Sequence, residues 1–156
     1  MKVKEIMTTE PKAIWLTESL ADAAQLMWEN DCGVLPVIKD GRKVVGLITD
    51  RDVCMATASR QVNPTEISVE EVITGQVYSV SPEDDVVHAL QAMQEHKIRR
   101  LPVVTAEGEL QGILSMNDIV LKAGESNGID YSDVIRTYQS IGQHALPAQA
   151  ASAVAS

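Results

Sequence analysis

The chain has 156 residues, a net charge of −9 at neutral pH and 45% hydrophobic residues, with no Phe and two Trp. This length suits one ordinary globular domain or two very small ones, and the scarcity of aromatic rings predicts an aliphatic core. The negative charge, without any Lys/Arg tract, argues against non-specific binding to nucleic acid and against attraction to anionic membranes.

Two sequence features bear on the cell compartment. Cys32 and Cys54 are too few for a disulfide framework and lack the spacing of a zinc site. No apolar stretch reaches the roughly 18 residues that a membrane span needs, and no apolar leader follows Met1. We therefore expect a soluble cytoplasmic protein that binds neither nucleic acid nor membrane.

A repeat of 66 residues organises the chain. Shifting the sequence by this length superposes identical residues without a gap. The matches include Glu5 on Glu71, Thr8 on Thr74, Ala23 on Ala89, Met27 on Met93, Leu35-Pro36-Val37 on Leu101-Pro102-Val103, Gly46 on Gly112 and Asp52 on Asp118. Matches over such a length indicate a duplicated unit.

Each copy predicts the element order β-α-β-β-α. In the first copy, a short extended piece at 13–16 leads into a helix whose apolar residues recur at helical spacing, from Leu20 to Met27. Two strands at 35–38 and 44–48 flank a polar turn and predict a hairpin, and a helix at about 50–58 closes the unit. Cys54 in that helix is expected to lie in the core.

The second copy predicts the same elements after a linker at 59–66. An extended piece at 78–80 precedes a helix that carries Val86, Ala89, Leu90 and Met93, with Ser81-Pro82 as its cap and first-turn proline. Strands at 101–104 and 110–114 and a helix at 116–123 follow.

These elements predict an α/β (α+β) fold of two repeats, residues 1–60 and 67–124, packed about a pseudo-twofold axis with equivalent clefts on either side. Neither repeat buries much surface alone, so the two are expected to cover each other. A helical extension at 125–144 carries an apolar stripe of Val134, Ile135, Tyr138 and Ile141, which needs the body of the protein or another subunit as its partner. The Ala/Ser/Gln-rich tail at 145–156 is expected to be disordered.

One motif occurs in both copies where a strand ends and a helix begins. A hydroxyl residue is followed three positions later by a carboxylate: Thr49 and Asp52 in one copy, Ser115 and Asp118 in the other. This spacing is typical of a capping box, which satisfies free N–H groups at a helix start. It also suits a ligand, because helix starts attract phosphate and an aspartate can accept from both hydroxyls of a ribose. The two roles can coexist.

The repeat, the Leu-Pro-Val strands and the Gly-apolar-apolar-Thr/Ser-x-x-Asp segments resemble a tandem pair of CBS domains, also called a Bateman module. The resemblance covers about residues 1–124. It implies clefts for AMP, ADP, ATP or related adenosine ligands, a homodimer and regulation of a separate partner protein. A role for Mg²⁺ stays open at this point, and Trp28 is a candidate for a dimer contact.

The resemblance also implies two clefts that each combine both copies. The first, here named the serine cleft, is expected to contain Ser115, Asn117, Asp118, Thr8, Ala13, Cys32, Gly33 and Val34. The second, the arginine cleft, is expected to contain Thr49, Arg51, Asp52, Thr74, Ser79, Ile98, Arg99 and Arg100. In each cleft the segment before Leu-Pro would line the adenine and the aspartate would hold the ribose.

The arginines are predicted to gather at the arginine cleft alone, so that it prefers more highly phosphorylated ligands. The serine cleft is expected to take AMP or a neutral adenosine compound, or to stay empty.

Two alternative functions remain. An enzyme is disfavoured because the three histidines lack nucleophile–base or metal-ligand spacing. A ligand-free structural module that acts only through protein–protein contacts is the stronger rival.

Overall fold

Two three-stranded sheets, each built on the hairpin of one copy of the repeat, form the framework of the computed structural model, which describes residues 1–73, 75–124 and 129–143. Thr74 and the predicted tail at 145–156 lie outside the described residues. The elements of the first copy are β1 (Thr8–Thr9), β2 (Ile14–Trp15), α1 (Leu20–Glu29), β3 (Val34–Lys39), β4 (Lys43–Thr49) and α2 (Asp50–Arg60). The second copy contains α3 (Val86–His96), β5 (Arg100–Val104), β6 (Leu110–Ser115) and α4 (Met116–Lys122), and α5 (Tyr131–Gly142) follows it. The predicted fold class is confirmed.

Both predicted hairpins form, with β3 antiparallel to β4 and β5 antiparallel to β6. The extended piece at 78–80 is weaker than predicted, because only Val80 pairs, in one parallel bridge to Val103. Its counterpart β2 makes two parallel pairs with β3.

The start of α3 corrects another prediction. Asp85, and not Ser81, is the N-cap, and its carboxylate accepts from the Val87 amide at 2.9 Å. Ser81 instead begins a turn in which its amide donates to the Asp84 carboxylate at 2.8 Å. Ser81-Pro82 therefore lies one turn too early to cap the helix.

The leading segment of each copy, which begins at Val3 in the first and at Val69 in the second, packs on the other copy. Val3 belongs to the core of the second repeat, whereas its equivalent Val69 belongs to the core of the first, and both are fully buried. The Val3 amide donates to the Asp84 carbonyl at 3.0 Å, and the Val69 amide donates to the Glu18 carbonyl at 2.8 Å. These reciprocal contacts are what relates the two repeats by a pseudo-twofold axis.

This exchange of leading segments, here called the crossing, explains the glycine of the repeated motif. β1 of the first copy pairs with β6 of the second, placing Thr9 opposite Gly112. A Cβ on Gly112 would lie 2.7 Å from Met7 Sδ and 2.9 Å from the Thr8 carbonyl oxygen. A Cβ on Gly46 would lie 2.8 Å from Cδ1 of Ile73, the equivalent of Met7. Each glycine therefore makes room for the other copy's leading segment.

Two aliphatic clusters form the core, as the composition predicted. The first repeat buries Ile14, Leu20, Ala23, Met27, Leu35, Val37, Ile48, Ile67 and Val69. The second buries Val3, Val80, Val86, Ala89, Leu90, Met93, Leu101, Val103, Leu114, Met116, Ile119, Ala123, Ile129 and Val134. Burying one such side chain contributes about 1.5–3 kcal/mol, so both clusters stabilise the fold substantially.

Helix α5 packs against α3 and α4 of the second repeat. Val134 and Thr137 are buried there, and Ser140 Oγ donates to the Gln94 carbonyl at 3.1 Å. The predicted stripe is thereby split, because Ile135 and Tyr138 face outward at 57% and 38% exposure. No helix among the described residues is both long and apolar enough to cross a membrane.

Helix α2 corrects the expectation for Cys54, which is exposed. None of the residues of α2 is fully buried, although Val53 and Ala56 pack partly on the first core. Cys54 lies on the outward face of its helix, and the equivalent residue of α4, Val120, is likewise exposed, at 41%, although α5 packs on α4. Cys32 is half-buried.

Candidate functional site

The strand-to-helix motif forms a complete capping box at the start of α2. The Thr49 amide and hydroxyl donate to Oδ2 of Asp52 at 2.9 and 2.7 Å, and the Asp52 amide donates to Thr49 Oγ1 at 3.2 Å. Ser115 and Asp118 repeat the geometry at α4, with distances of 2.8, 2.6 and 3.3 Å. The capping interpretation is therefore correct for both copies.

Capping leaves part of each aspartate for a ligand. Within the described chain, Oδ1 of Asp52 and Oδ1 of Asp118 accept no hydrogen bond. A carboxylate carries two acceptor oxygens, so one can hold the cap while the other receives a hydroxyl. Ser19 and Asp22 form the same box at α1, which shows that the box alone does not mark a cleft.

Backbone hydrogen bonds fix the segment before each Leu-Pro strand beside a helix start. The Asp50 amide donates to the Gly33 carbonyl at 3.2 Å, and the Met116 amide donates to the equivalent Arg99 carbonyl at 2.9 Å. Gly33 lies close to the end of the Asp50 side chain, since a Cβ on it would lie 3.0 Å from Oδ2 of Asp50. Arg99 takes its place in the second copy, beside Met116 instead of an aspartate.

The serine cleft is a cavity of about 400 Å³ built from both repeats. Six of the eight residues predicted for it line this cavity: Thr8, Cys32, Gly33, Val34, Ser115 and Asp118. Ala13 lies instead in a neighbouring cavity with Trp15, and Asn117 is exposed on α4 outside the lining. The structure thus brings the hydroxyl, the carboxylate and the segment before Leu35 to one place.

The arginine cleft is a cavity of about 570 Å³ on the other side of the pseudo-twofold axis. Of its predicted residues, Thr49, Arg51, Ile98, Arg99 and Arg100 line it. Asp52 and Ser79 are not among the lining residues, and Thr74 lies outside the described residues. Both cavities can accommodate a nucleotide-sized ligand, since small-molecule sites measure about 300–1,000 Å³.

Further lining residues were missed from the sequence. In the serine cleft they include Glu10, Pro11, Lys12 and Asp31; in the arginine cleft they include Gln76, Val77, Tyr78 and Lys97. These are four equivalent pairs, each separated by the length of the repeat. The repeat relates the two members of each pair, but by itself it does not show that either member lines a cleft. Tyr78 stacks on His96 with ring centroids 3.6 Å apart, which braces one wall of the arginine cleft.

The predicted segregation of the arginines is wrong for Arg100, which lines both clefts. Arg51 and Arg99 line the arginine cleft, where Lys97 joins them. No carboxylate pairs with Arg51, Arg99 or Arg100 within the described part of the chain. Unpaired guanidinium groups at the mouth of a cavity favour an anionic ligand, and phosphate is the group that they bind best.

The CBS-domain family model matches residues 3–59 and 69–124, which together make up most of the chain. The chain belongs to the CBS-domain family. The two matches coincide with the two copies of the repeat, so this CBS pair is a tandem one. They also begin at Val3 and Val69, the residues that anchor the crossed leading segments.

Relatives place the CBS pair among proteins of similar size. It is 33% identical over 128 residues to the CBS domain-containing protein YhcV of Bacillus subtilis, covering 81% of this chain and 89% of that protein. A CBS domain pair of protein MJ0100, solved with 5-methylthioadenosine and S-adenosyl-L-methionine, is 26% identical with a TM-score of 0.69, covering 78% and 94% of the two chains. A hexameric CBS-CP12 protein from bloom-forming cyanobacteria is 29% identical with a TM-score of 0.68, covering 78% and 70%.

Proposed function

We propose that this CBS pair is a regulatory module that binds adenine nucleotides of the AMP, ADP or ATP class in its two clefts and signals to a separate partner protein. The observation that carries the proposal is the pair of equivalent cavities, each combining a helix-start hydroxyl of one repeat with the leading or following segment of the other. The adenosine ligands of the MJ0100 pair support the ligand class.

The arginine cleft is the better site for a polyphosphate. Arg51, Arg99, Arg100 and Lys97 supply four positive charges around one cavity, and Thr49 adds a hydroxyl. Each charge-assisted contact to phosphate contributes about 1.5–3 kcal/mol. We therefore assign ATP or ADP to this cleft.

The serine cleft suits a ligand with less charge. Asp31, Asp118 and Glu10 line it together with Lys12 and Arg100, so positive and negative groups nearly balance. We assign AMP or a neutral adenosine compound to it, with the free oxygen of Asp118 on the ribose hydroxyls. Any Mg²⁺ would arrive with the nucleotide, because the described residues contain no cluster of three or more metal-ligating side chains.

Signalling, and not catalysis, is the proposed consequence of binding. The Ser115 hydroxyl and the Asp118 carboxylate of the serine cleft are engaged in capping α4, and no histidine lies among the described lining residues of either cleft. The module would act in the cytoplasm as a homodimer, for which the hexameric CBS-CP12 protein is a self-associating precedent in the family. Turnover of ATP or AMP by the purified protein would contradict this part of the proposal.

Isothermal titration with ATP and AMP tests the assignment. Asp118→Asn keeps a capping acceptor but removes the charge, and it is expected to weaken binding in the serine cleft about tenfold. Arg51→Met and Arg99→Met should weaken ATP more than AMP, because they act on the phosphates. Asp22→Asn is the matched control, since its identical box at α1 faces no cleft. Equal affinities in all four variants would refute the nucleotide sites.

One observation favours the rival function as a ligand-free structural module. The capping boxes give Thr49, Asp52, Ser115 and Asp118 a structural role that needs no ligand. A thermal-shift panel of adenosine compounds separates the two functions, because a ligand that binds only the folded state raises its melting temperature. No shift with any compound at millimolar concentration would favour the structural module.

A further inference from the structure

A cavity of about 580 Å³ lies beside the serine cleft, on the other side of one of its walls. The segment 10–12 lines both cavities and therefore separates them. Ile38 of β3 and Leu110 of β6 give the second cavity an apolar floor, since they are 2% and 6% exposed. The polar and aromatic side chains above this floor include Lys12, Trp15, Arg42 and Gln111. We name it the tryptophan cavity.

Both copies of the repeat build the tryptophan cavity. Trp15 of β2 pairs with Ile38 of β3 in the first copy, whereas β6 of the second copy supplies another wall. The turn that carries Arg42 is held against the second copy, because the Val44 amide donates to the Gly108 carbonyl at 3.1 Å. The positions of these walls are therefore set by the packing of the two copies.

Two cations of the tryptophan cavity have no carboxylate partner. Neither Lys12 nor Arg42 takes part in an ion pair within the part of the chain that the structure describes. Glu10 is the one carboxylate among the described lining residues. The turns beside the cavity carry charges of both signs, in Lys39, Asp40, Lys43, Glu107 and Glu109. Two unpaired cations against one carboxylate suit a bound anion.

The corresponding cavity of the other copy lacks this combination of side chains. Three of its lining residues, Val77, Val44 and Val45, are equivalent to lining residues of the tryptophan cavity. The positions of Lys12, Trp15 and Arg42 are occupied one repeat later by Tyr78, Ser81 and Gly108, none of which lines that cavity. Packing that the two copies share therefore does not account for the two cations and the indole.

Arg42 occupies a turn position whose backbone favours glycine. Its φ is +62°, and Gly108 at the equivalent position has a φ of +85°. Left-handed backbone is unfavourable for a residue with a Cβ and open to glycine. Non-glycine residues held in such conformations often have a functional reason. The same turn position carries glycine in one copy and arginine in the other, so the guanidinium is the feature that needs a role.

We propose that the tryptophan cavity is a third ligand site, which binds a mononucleotide or another phosphorylated planar ring. The ring stacks on the indole of Trp15, which is 48% exposed and makes no ring contact within the described chain. Arg42 and Lys12 bind the phosphate, and the Gln111 amide is placed to bind polar atoms at the edge of the ring. Trp15 and Arg42 line neither of the two clefts, so this site goes beyond the proposed function.

The fluorescence of Trp15 tests the third site. The chain has two tryptophans, so Trp28→Phe leaves Trp15 as its sole indole. AMP is expected to quench this fluorescence in a saturable way, because the base stacks on the indole. Adenosine lacks the phosphate and ribose 5-phosphate lacks the ring. Each should bind at least about tenfold more weakly than AMP, adenosine by direct titration and ribose 5-phosphate by competition with AMP.

Arg42→Gly in this background is the decisive variant. It removes the guanidinium and supplies the residue that the left-handed backbone favours, so the melting temperature should not fall. AMP is expected to bind about tenfold more weakly, whereas the affinity for adenosine should not change. Lys43→Gln is the matched control, because it removes a charge from the next residue, which is exposed and outside the lining.

Asp118→Asn separates the third site from the serine cleft. Quenching by AMP that persists in Asp118→Asn and weakens in Arg42→Gly would support the third site. No quenching at millimolar AMP, or equal affinities of the Trp28→Phe parent and Arg42→Gly, would overturn it. Quenching that weakens in Asp118→Asn alone would come from the serine cleft, and it would overturn the third site while leaving the proposed function standing.

Discussion

Val34 and Arg100 occupy equivalent positions, as the first residues of β3 and β5, and each of them lines both clefts. The pair therefore lies where the two cavities approach each other. One member is apolar and the other is charged, so a single guanidinium is shared by two sites that the duplication made equivalent. The difference between the clefts begins at this pair.

Sharing of Arg100 predicts that the clefts compete for anions. One guanidinium can bind one phosphate closely at a time, so ATP in the arginine cleft is expected to weaken AMP binding in the serine cleft. Arg100→Met should remove that coupling and weaken ATP about tenfold. Val34→Arg, which supplies a second guanidinium at the equivalent position, should restore AMP binding in the presence of ATP. Calorimetric titration of AMP with and without saturating ATP measures both effects.

Two results of that titration would contradict the role of Arg100 without contradicting the nucleotide sites. If nucleotides bind and Arg100→Met leaves the coupling unchanged, then Arg100 does not connect the clefts. If wild-type protein binds AMP equally well with and without ATP, the clefts are independent.

The crossed leading segments predict unequal effects at two equivalent glycines. Gly112→Ala would push a methyl group against the Thr8 backbone carbonyl and is expected to lower the free energy of unfolding by about 2–3 kcal/mol. Gly46→Ala meets only the tip of Ile73 and should cost about 1 kcal/mol. Ile73→Val removes the Cδ1 atom that is in the way, so it should offset part of the Gly46→Ala loss.

Urea unfolding of the wild type, Gly112→Ala, Gly46→Ala and the Gly46→Ala/Ile73→Val double variant measures these differences. Met7→Ala is the contrasting variant, since it frees space at Sδ but leaves the Thr8 carbonyl in place and should not rescue Gly112→Ala. Equal losses at both glycines would contradict the crossing as the reason for the glycines.

Lys97 predicts a link between the arginine cleft and α5. Its side chain lines the cleft and also donates to the Gln143 carbonyl at the end of α5, where Ile141 forms part of the same cavity. ATP is expected to draw the ammonium group away and to speed hydrogen exchange at the last turn of α5. Lys97→Met should abolish this response and weaken ATP about tenfold.

Ser140→Ala is the control for that response. It removes the other hydrogen bond between α5 and α3 but lines no cleft, so ATP affinity should stay unchanged. Hydrogen exchange followed by mass spectrometry, with and without ATP, supplies the comparison. Identical exchange in both states would exclude the link.

Two capping carboxylates predict how stability responds to acid. The Ser19 hydroxyl lowers the pKa of Asp22, and the Ser68 amide, followed by the Ser68 hydroxyl, lowers the pKa of Glu71. A carboxyl whose pKa is lowered on folding contributes stability above its unfolded pKa and loses it as pH falls through its folded pKa. The melting temperature should therefore fall below about pH 4. The fall should be smaller in the Asp22→Asn/Glu71→Gln double variant, as measured by circular dichroism; an unchanged slope would contradict these two groups as the cause.

Much of the fold follows from local patterns. The helical spacing at Leu20–Glu29 and the paired strands around Leu35 and Leu101 are encoded within short segments, and the observed elements begin and end within a few residues of the predicted ones. The cap of α3 was misplaced because Ser81-Pro82 and Asp85 both carry start signals, and only the packing of Val86 in the core selects the later one.

Some features of the candidate site also follow from local sequence patterns, and others depend on the tertiary structure. The hydroxyl–carboxylate boxes could be identified from the sequence because their partners lie three residues apart. Lys97, Tyr78 and the double role of Arg100 could not, because they depend on which segments the fold brings together. Cys54 was misassigned because its apolar neighbour Val53 suggested a core position, whereas Cys54 and its equivalent Val120 both lie on the outward face of their helices.

The sequence by itself determined that the chain is duplicated, in which order its elements follow and that both helix starts carry the same motif. Each of these depends on the spacing of residues along the chain. Only the tertiary structure decided that the leading segments cross, that one arginine serves both clefts, and that the helical faces of the two repeats differ in cover. Such features arise from contacts between residues far apart in the chain. No local propensity specifies those contacts; they form because burying each repeat's apolar surface requires the other.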